Sequence, residues 1–270
     1  MRRFYITFSG SAYNEQTLKA LTALNTYRHG HVDEILVYDD RWLMETAFYQ
    51  KNEWLWHMPP EPSTPDRRHR GFGWFCWKPF ILLETLERMQ DGDIVCFVDG
   101  DTYPIADFSV LYEECARIGG AMVFAAQGCS NRQWVKRDCL MIMSQDDLKW
   151  HDTQHCAARF MLFQKGPWQV RQFLMEWLTY CLNPNATTFE PSIYGPELPG
   201  FEQHRTEQAI FSMLVAKYGW KPYREACQFG DPAIHKQDVE LYPTLFHQEW
   251  GSGPRTLDGC KYRNVSTHYL

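Results

Sequence analysis

Apolar residues recur along this chain in two rhythms, short continuous runs and longer stretches with helical spacing, and the two alternate. Residues 4–8, 34–38, 94–98, 121–125 and 159–163 read as strands. The run 94–98 is wholly apolar, rich in β-branched and aromatic side chains, and bounded by Gly92 and Gly100. That pattern predicts a strand buried on both faces, as in a parallel sheet covered by helices. Between the strands lie amphipathic stretches. Leu18, Leu21 and Leu24 share one helical face, and Leu82, Leu86 and Met89 repeat after Pro79 and stop at Gly92. Asp107 can cap a helix with Val110, Leu111, Cys115 and Ile118 on its inner side, closed by Gly119-Gly120. Residues 168–181 turn Phe173 and Trp177 inward, and 206–218 is apolar at Ile210, Phe211, Leu214 and Val215. The alternation predicts an α/β, Rossmann-like fold: a mostly parallel central sheet with helices on both faces.

Two stretches break the rhythm. Residues 51–70 carry Pro59, Pro60, Pro62 and Pro65 and the basic run Arg67-Arg68-His69-Arg70, and predict a mobile loop over a site. The basic run is either solvated surface or phosphate-facing. Residues 183–203 form a second loop, and beyond Trp220 little periodicity remains, as in a tail wrapping the sheet.

Composition narrows the choice of partner. There are 27 lysines and arginines against 33 acidic residues in 270, so the net charge of −6 offers no general footprint for nucleic acid or an anionic bilayer. Nine cysteines, with no Cys-x-x-Cys pair, signal neither a disulfide framework nor a zinc knuckle and fit a reducing cytoplasm. Met1-Arg2-Arg3 leads straight into a strand, so no signal peptide is expected, and at most peripheral membrane contact. Eleven tryptophans and fourteen tyrosines supply rings that stack on sugars and bases, although core packing accounts for most of them.

The candidate chemistry gathers at the end of the third strand, Val98-Asp99-Gly100-Asp101-Thr102. In open α/β sheets ligands sit past the carboxyl ends of strands. Asp99 and Asp101, two apart on extended backbone, lie roughly 7 Å apart or closer. Their charges then repel by roughly 2 kcal/mol even at an effective dielectric near 20. A bridging divalent cation removes that penalty, and hard oxygen ligands suit magnesium or manganese. Gly100 allows close approach to the backbone. Lys78, directly before the proline-started helix that feeds this strand, adds a positive charge at a helix N-terminus, where a diphosphate is welcome. Thr7 and Ser9, at the end of the first strand, either meet a nucleotide or belong to a solvated loop with a helix cap.

Trp77-Lys78-Pro79, Asp91-Gly92-Asp93, Asp99-Gly100-Asp101, Trp134-Val135-Lys136-Arg137-Asp138, Thr153-Gln154, Glu176-Trp177-Leu178 and His204-Arg205-Thr206-Glu207-Gln208 follow one another in the order of a known family. Over about residues 4–220 the chain resembles GT-A-fold glycosyltransferases of bacterial polysaccharide loci, and more distantly glycogenin-like and blood-group-type transferases. The resemblance implies one GT-A domain over 1–270, with a nucleotide-binding half (1–125) and an acceptor and catalytic half with its tail (126–270). It implies Mn2+ or Mg2+, a nucleotide-sugar donor such as a UDP-hexose, and a glycan or glycolipid acceptor. Asp99 would touch ribose and metal, and Asp101 the metal that holds the diphosphate. Lys78, with Thr7 and Ser9 of the first loop, would contact the nucleotide. Gln154 to Phe160 would line the sugar pocket, and Trp134, Lys136 and Asp138 would border the acceptor. Glu207 and Gln208 would approach the anomeric carbon, and either Glu207 or Asp138 would act as base in an inverting reaction; distant similarity favours retention. The family usually carries aspartate, one methylene shorter, where Glu207 stands. A late histidine often joins the metal, His247 being favoured over His268.

Two other readings compete. Asp99-Gly100-Asp101-Thr102 matches the strand-end motif of haloacid-dehalogenase-like phosphohydrolases, with Asp99 as nucleophile. That motif should open the fold, yet two strands precede it. A non-catalytic sugar-binding relic is the other. His151-Asp152-Thr153-Gln154-His155 has the spacing of a zinc-protease helix, but a strand follows too soon, and surface or pocket-lining histidines are expected.

Overall fold

The structure is a computed structural model and describes residues 1–10, 14–27, 31–57, 72–230 and 236–249. Its elements run β1 (Arg3–Ser9), α1 (Asn14–Tyr27), β2 (Glu34–Asp39), α2 (Trp77–Arg88), β3 (Ile94–Val98), β4 (Thr102–Pro104), α3 (Ser109–Ile118), β5 (Ala121–Ser130), β6 (Gln154–Gln164), α4 (Trp168–Cys181), α5 (Thr206–Tyr218) and β7 (Phe246–Gln248), with shorter helical turns between them. The predicted loop at 51–70 begins within a short helix, Ala47–Lys51, and a 3-10 turn, Glu53–Leu55; residues 58–70, with the prolines and the basic run, lie outside the described residues.

The central sheet has the order β2-β1-β3-β6-β5. β2, β1 and β3 are parallel neighbours, whereas β6 runs antiparallel to both β3 and β5, so only β6 is reversed. All five residues of β3 are buried, as expected of a central strand between two layers. One apolar layer packs Phe4, Ile6, Phe8, Val95 and Phe97 against α2, α4 and α5; the other packs Tyr5, Ile94, Cys96 and Val98 against α1 and α3. The period of two along each strand decides which residue enters which layer.

The expected boundaries of β3, α4 and α5 coincide with those observed. β6 begins five residues earlier than predicted, at Gln154, because pairing with β5 holds a stretch of low strand propensity extended. The tail contributes β7, which pairs antiparallel with β4 as a small separate ladder. Gly119 closes α3 at φ 67°, a left-handed cap natural to glycine.

Candidate active site

Three elements bring charged groups together at the carboxyl edge of β3. α2 supplies Lys78 from its first turn, β3 runs directly into Asp99, and α5 supplies Glu207 from its first turn. The Lys78 ammonium lies 3.1 Å from Asp99 Oδ1 and 3.2 Å from Glu207 Oε1, and donates to the Ala158 carbonyl of β6 at 3.0 Å. Three donors thus meet three acceptors, with Lys78 and Glu207 each only 3% exposed. Burial disfavours the lysine's charge, but Asp99 and Glu207 outweigh it and raise its pKa. Burial also raises the pKa of Glu207, against the opposing pull of Lys78 and a hydrogen bond from Thr206.

The backbone around this pair is strained. Trp74 and Phe75 adopt φ of 53° and 60°, and Thr206 adopts 48°, left-handed values unfavourable for aromatic and β-branched residues. Of the four such non-glycine residues among those described, three flank Lys78 and Glu207. The strain serves placement. Phe75 is brought under the Lys78 ammonium at 4.9 Å, and the Thr206 hydroxyl donates to Glu207 Oε2 at 2.7 Å. Trp177 Nε1 fixes the Glu207 carbonyl at 2.9 Å.

Asp101 is treated differently. No basic group pairs with it among the described residues; its neighbours are the Thr102 hydroxyl at 3.2 Å and Gln248 Nε2 at 3.4 Å from both carboxylate oxygens. Burial first, and the Asp99 charge second, raise its pKa to about 6. The backbone turn is tight: Thr102 N–H donates to Asp99 O at 2.9 Å, and Glu249 N–H to Asp101 O at 2.8 Å. A divalent cation would fit this turn: Asp101 is opposed only by the Arg159 charge, with no ion pair of its own among the described residues, and Gln248 Oε1 is buried without a hydrogen-bond partner. Among the described residues no three His, Cys, Asp or Glu side chains converge to hold a metal, so a cation here would need other oxygen donors.

Several expected site residues face elsewhere. Asp138 is buried, and its carboxylate accepts from the Ile193 and Tyr194 amides at 2.9 Å, so it anchors the 190s loop and is not free to act as a base. Lys136 is buried with it and donates to Glu190 O at 3.1 Å, its pKa lowered by burial. Gln154 donates to the carbonyls of Ala126 and Cys129 at 2.7 and 3.0 Å and clamps the irregular end of β5 rather than a sugar. The close approach at Gly100 is made from within: a Cβ there would stand 2.5 Å from the Thr17 hydroxyl and 3.0 Å from the Phe8 carbonyl. Thr7 is fully buried in β1 and lines no open surface, whereas Ser9 lies half-buried at the strand end beside Asp39. Trp134 stacks beneath Arg205 at 4.3 Å, and Gln208 is half-buried on the turn next to Glu207. His247 packs its ring on Tyr103, 5.4 Å between centroids, and it is Gln248, one residue on and facing the opposite side, that reaches Asp101. His268 lies outside the described residues.

The zinc-like spacing brings nothing together: His151 pairs with Asp146 at the end of a short helix, while His155 lies in β6 and bonds Asn131. Sequence reasoning also passed over Arg159, whose guanidinium forks onto Glu225 beside the two aspartates and lies over Phe229 at 5.3 Å. Its position inside the predicted sugar-lining stretch was the available signal; Glu225, in the aperiodic tail, gave none.

The sheet order, the reversed β6 and the helices on both faces define a GT-A-like α/β fold. Over 94% of this chain and 46% of the other, the structure superposes on the apo form of the bifunctional glycosyltransferase WbbM, with a TM-score of 0.51 and 11% identity. Mouse xyloside xylosyltransferase 1 (TM-score 0.47, 12% identity, 94% of this chain and 100% of that one) and GlyE of Streptococcus pneumoniae TIGR4 (0.43, 14%, 93% and 55%) align more loosely and carry no argument. No family model and no curated protein matches the sequence. Among the described residues no helix is long and apolar enough to cross a membrane.

Proposed function

We propose that this protein is a metal-dependent glycosyltransferase that moves a hexose from a nucleoside diphosphate, in the first instance UDP, to a hydroxyl of a cell-surface glycan or glycolipid. The observation that carries the reading is the convergence of Lys78, Asp99 and Glu207 at the edge of β3, with Asp101, which has no ion pair among the described residues, two residues on. Asp99 and Asp101 would hold Mn2+ or Mg2+, which supplies charge neutralisation to the leaving diphosphate.

The chain's own groups do the rest. Lys78 holds Asp99 and Glu207 in fixed relation and offsets part of their charge, its three donors spent on them and on the Ala158 carbonyl, while the N-terminus of α2 adds a partial positive charge nearby. Glu207 has one oxygen on Lys78 and the other on Thr206, so it is built as a stationary negative charge rather than as a mobile proton acceptor. A stationary carboxylate beside the anomeric carbon favours an oxocarbenium-like transition state and, with Asp138 engaged in the 190s loop, supports retention over inversion. Gln208, adjacent to it, has an amide available to meet the donor sugar.

The test is turnover with Mn2+ across UDP-, GDP-, CMP- and TDP-sugars, the donor chosen by thermal shift. Asp101→Asn should keep the fold and lose about 1,000-fold or more in turnover, the equivalent of several kcal/mol of cation stabilisation. Near-normal activity in that variant removes the metal role. A phosphohydrolase would ignore the nucleobase, and a sugar-binding relic would bind free sugar without diphosphate or metal.

A further inference from the structure

Strand β7 crosses the acidic turn at a fixed register, with Gln248 opposite Thr102 and His247 opposite Tyr103. Two reciprocal hydrogen bonds lock that register: Gln248 N–H donates to Gln228 Oε1 at 2.9 Å, and Gln228 Nε2 donates to the Gln248 carbonyl at 2.7 Å. The Gln248 side chain is 8% exposed and is directed at Asp101, its Nε2 equidistant from the two carboxylate oxygens at 3.4 Å. Its Oε1 is buried and meets no donor among the described residues. A buried amide that spends its donors on two long contacts and its acceptor on nothing is poorly satisfied, and such a group needs a partner. Rotation about the last side-chain bond exchanges the two ends of the amide and turns the unspent oxygen toward Asp101, the geometry wanted by a hard cation that accepts carboxylate and amide oxygens alike.

We propose that Gln248, through Oε1, is the third protein ligand of the divalent cation held by Asp99 and Asp101, occupying the place expected of His247. The proposal rests on the metal-dependent reading above. It gives the site an all-oxygen donor set, suited to Mn2+ and Mg2+ and unsuited to softer ions, which an imidazole would favour.

Binding is measured on the full chain without turnover, by titrating Mn2+ and following the free-ion EPR signal with and without UDP. Gln248→Leu should weaken Mn2+ binding roughly tenfold or more while His247→Ala stays within about twofold. Unchanged melting of Gln248→Leu in the absence of metal separates loss of a ligand from loss of structure. The direct readout is Gln248→Cys titrated with Cd2+: a thiolate-to-cadmium ultraviolet band should appear that neither the unsubstituted protein nor His247→Cys develops. Unaltered Mn2+ affinity in Gln248→Leu, or a band in His247→Cys instead, overturns the assignment while leaving the transferase reading standing. If the unsubstituted protein binds no Mn2+ even with UDP, both fail together.

Discussion

Asp99 and Asp101 are separated by a single glycine, yet the protein surrounds them in opposite ways. Asp99 is neutralised in advance: Lys78 touches it and is itself bound between Glu207 and a β6 carbonyl, over the ring of Phe75. Asp101 is hydrogen-bonded only by amide and hydroxyl groups, with the Arg159 charge a weak opposing influence, and its carboxyl holds a proton to about pH 6. One side of the turn is a finished electrostatic structure with strained backbone built around it; the other has no ion pair among the described residues. Buried charge is tolerated where a partner is built in and is left costly where a ligand is to supply one.

That contrast can be broken from either side. The largest effect is expected on the finished side: Lys78→Met strands the buried Glu207 carboxylate beside a half-buried Asp99 and should cost about 3–5 kcal/mol in chemical denaturation. A loss below about 1 kcal/mol would mean that the cluster is solvated after all. Glu207→Gln keeps the shape but removes the stationary charge, and kcat should fall about 100-fold with donor affinity little changed; a change confined to donor binding would remove Glu207 from catalysis. Gly100→Ala forces a methyl against Thr17 and Phe8, for about 1–3 kcal/mol of stability and a displaced aspartate pair. An alanine variant with unaltered melting would show that the turn is slack.

A last test lies in pH. The Asp101 carboxyl sits at about 6 against an ordinary 3.8, so the folded chain holds this proton more tightly than the unfolded one. The stability linked to it is complete below 3.8 and is lost as pH rises through about 6. Metal-free protein should therefore decline over that window relative to Asp101→Asn. Parallel pH profiles of melting would contradict an uncompensated Asp101.

The sequence made the framework legible where one physical rule acts alone. The unbroken apolar run of β3 gave its boundaries, and helical spacing gave α4 and α5. The edge residues Lys78 and Asp99 follow from helix-start and strand-end positions, whereas Glu207 entered only through the family resemblance. What failed is side-chain direction. Asp138, Lys136 and Gln154 have the right chemistry for a substrate, but backbone amides and carbonyls of segments distant in sequence claim them first, a competition that residue types do not reveal. The same blindness separates His247 from Gln248: one step along a strand exchanges faces, and only the pairing with β4 says which face is which.

That pairing has a consequence for how the protein is made. β4 and β7 are separated by more than 140 residues of chain, and Asp101 receives its last backbone hydrogen bond from Glu249. The main sheet can assemble from segments translated earlier, but the acidic turn is clasped only once the ribosome has delivered the final strand. Clipping of the chain before residue 246 would then leave the acidic turn unfastened.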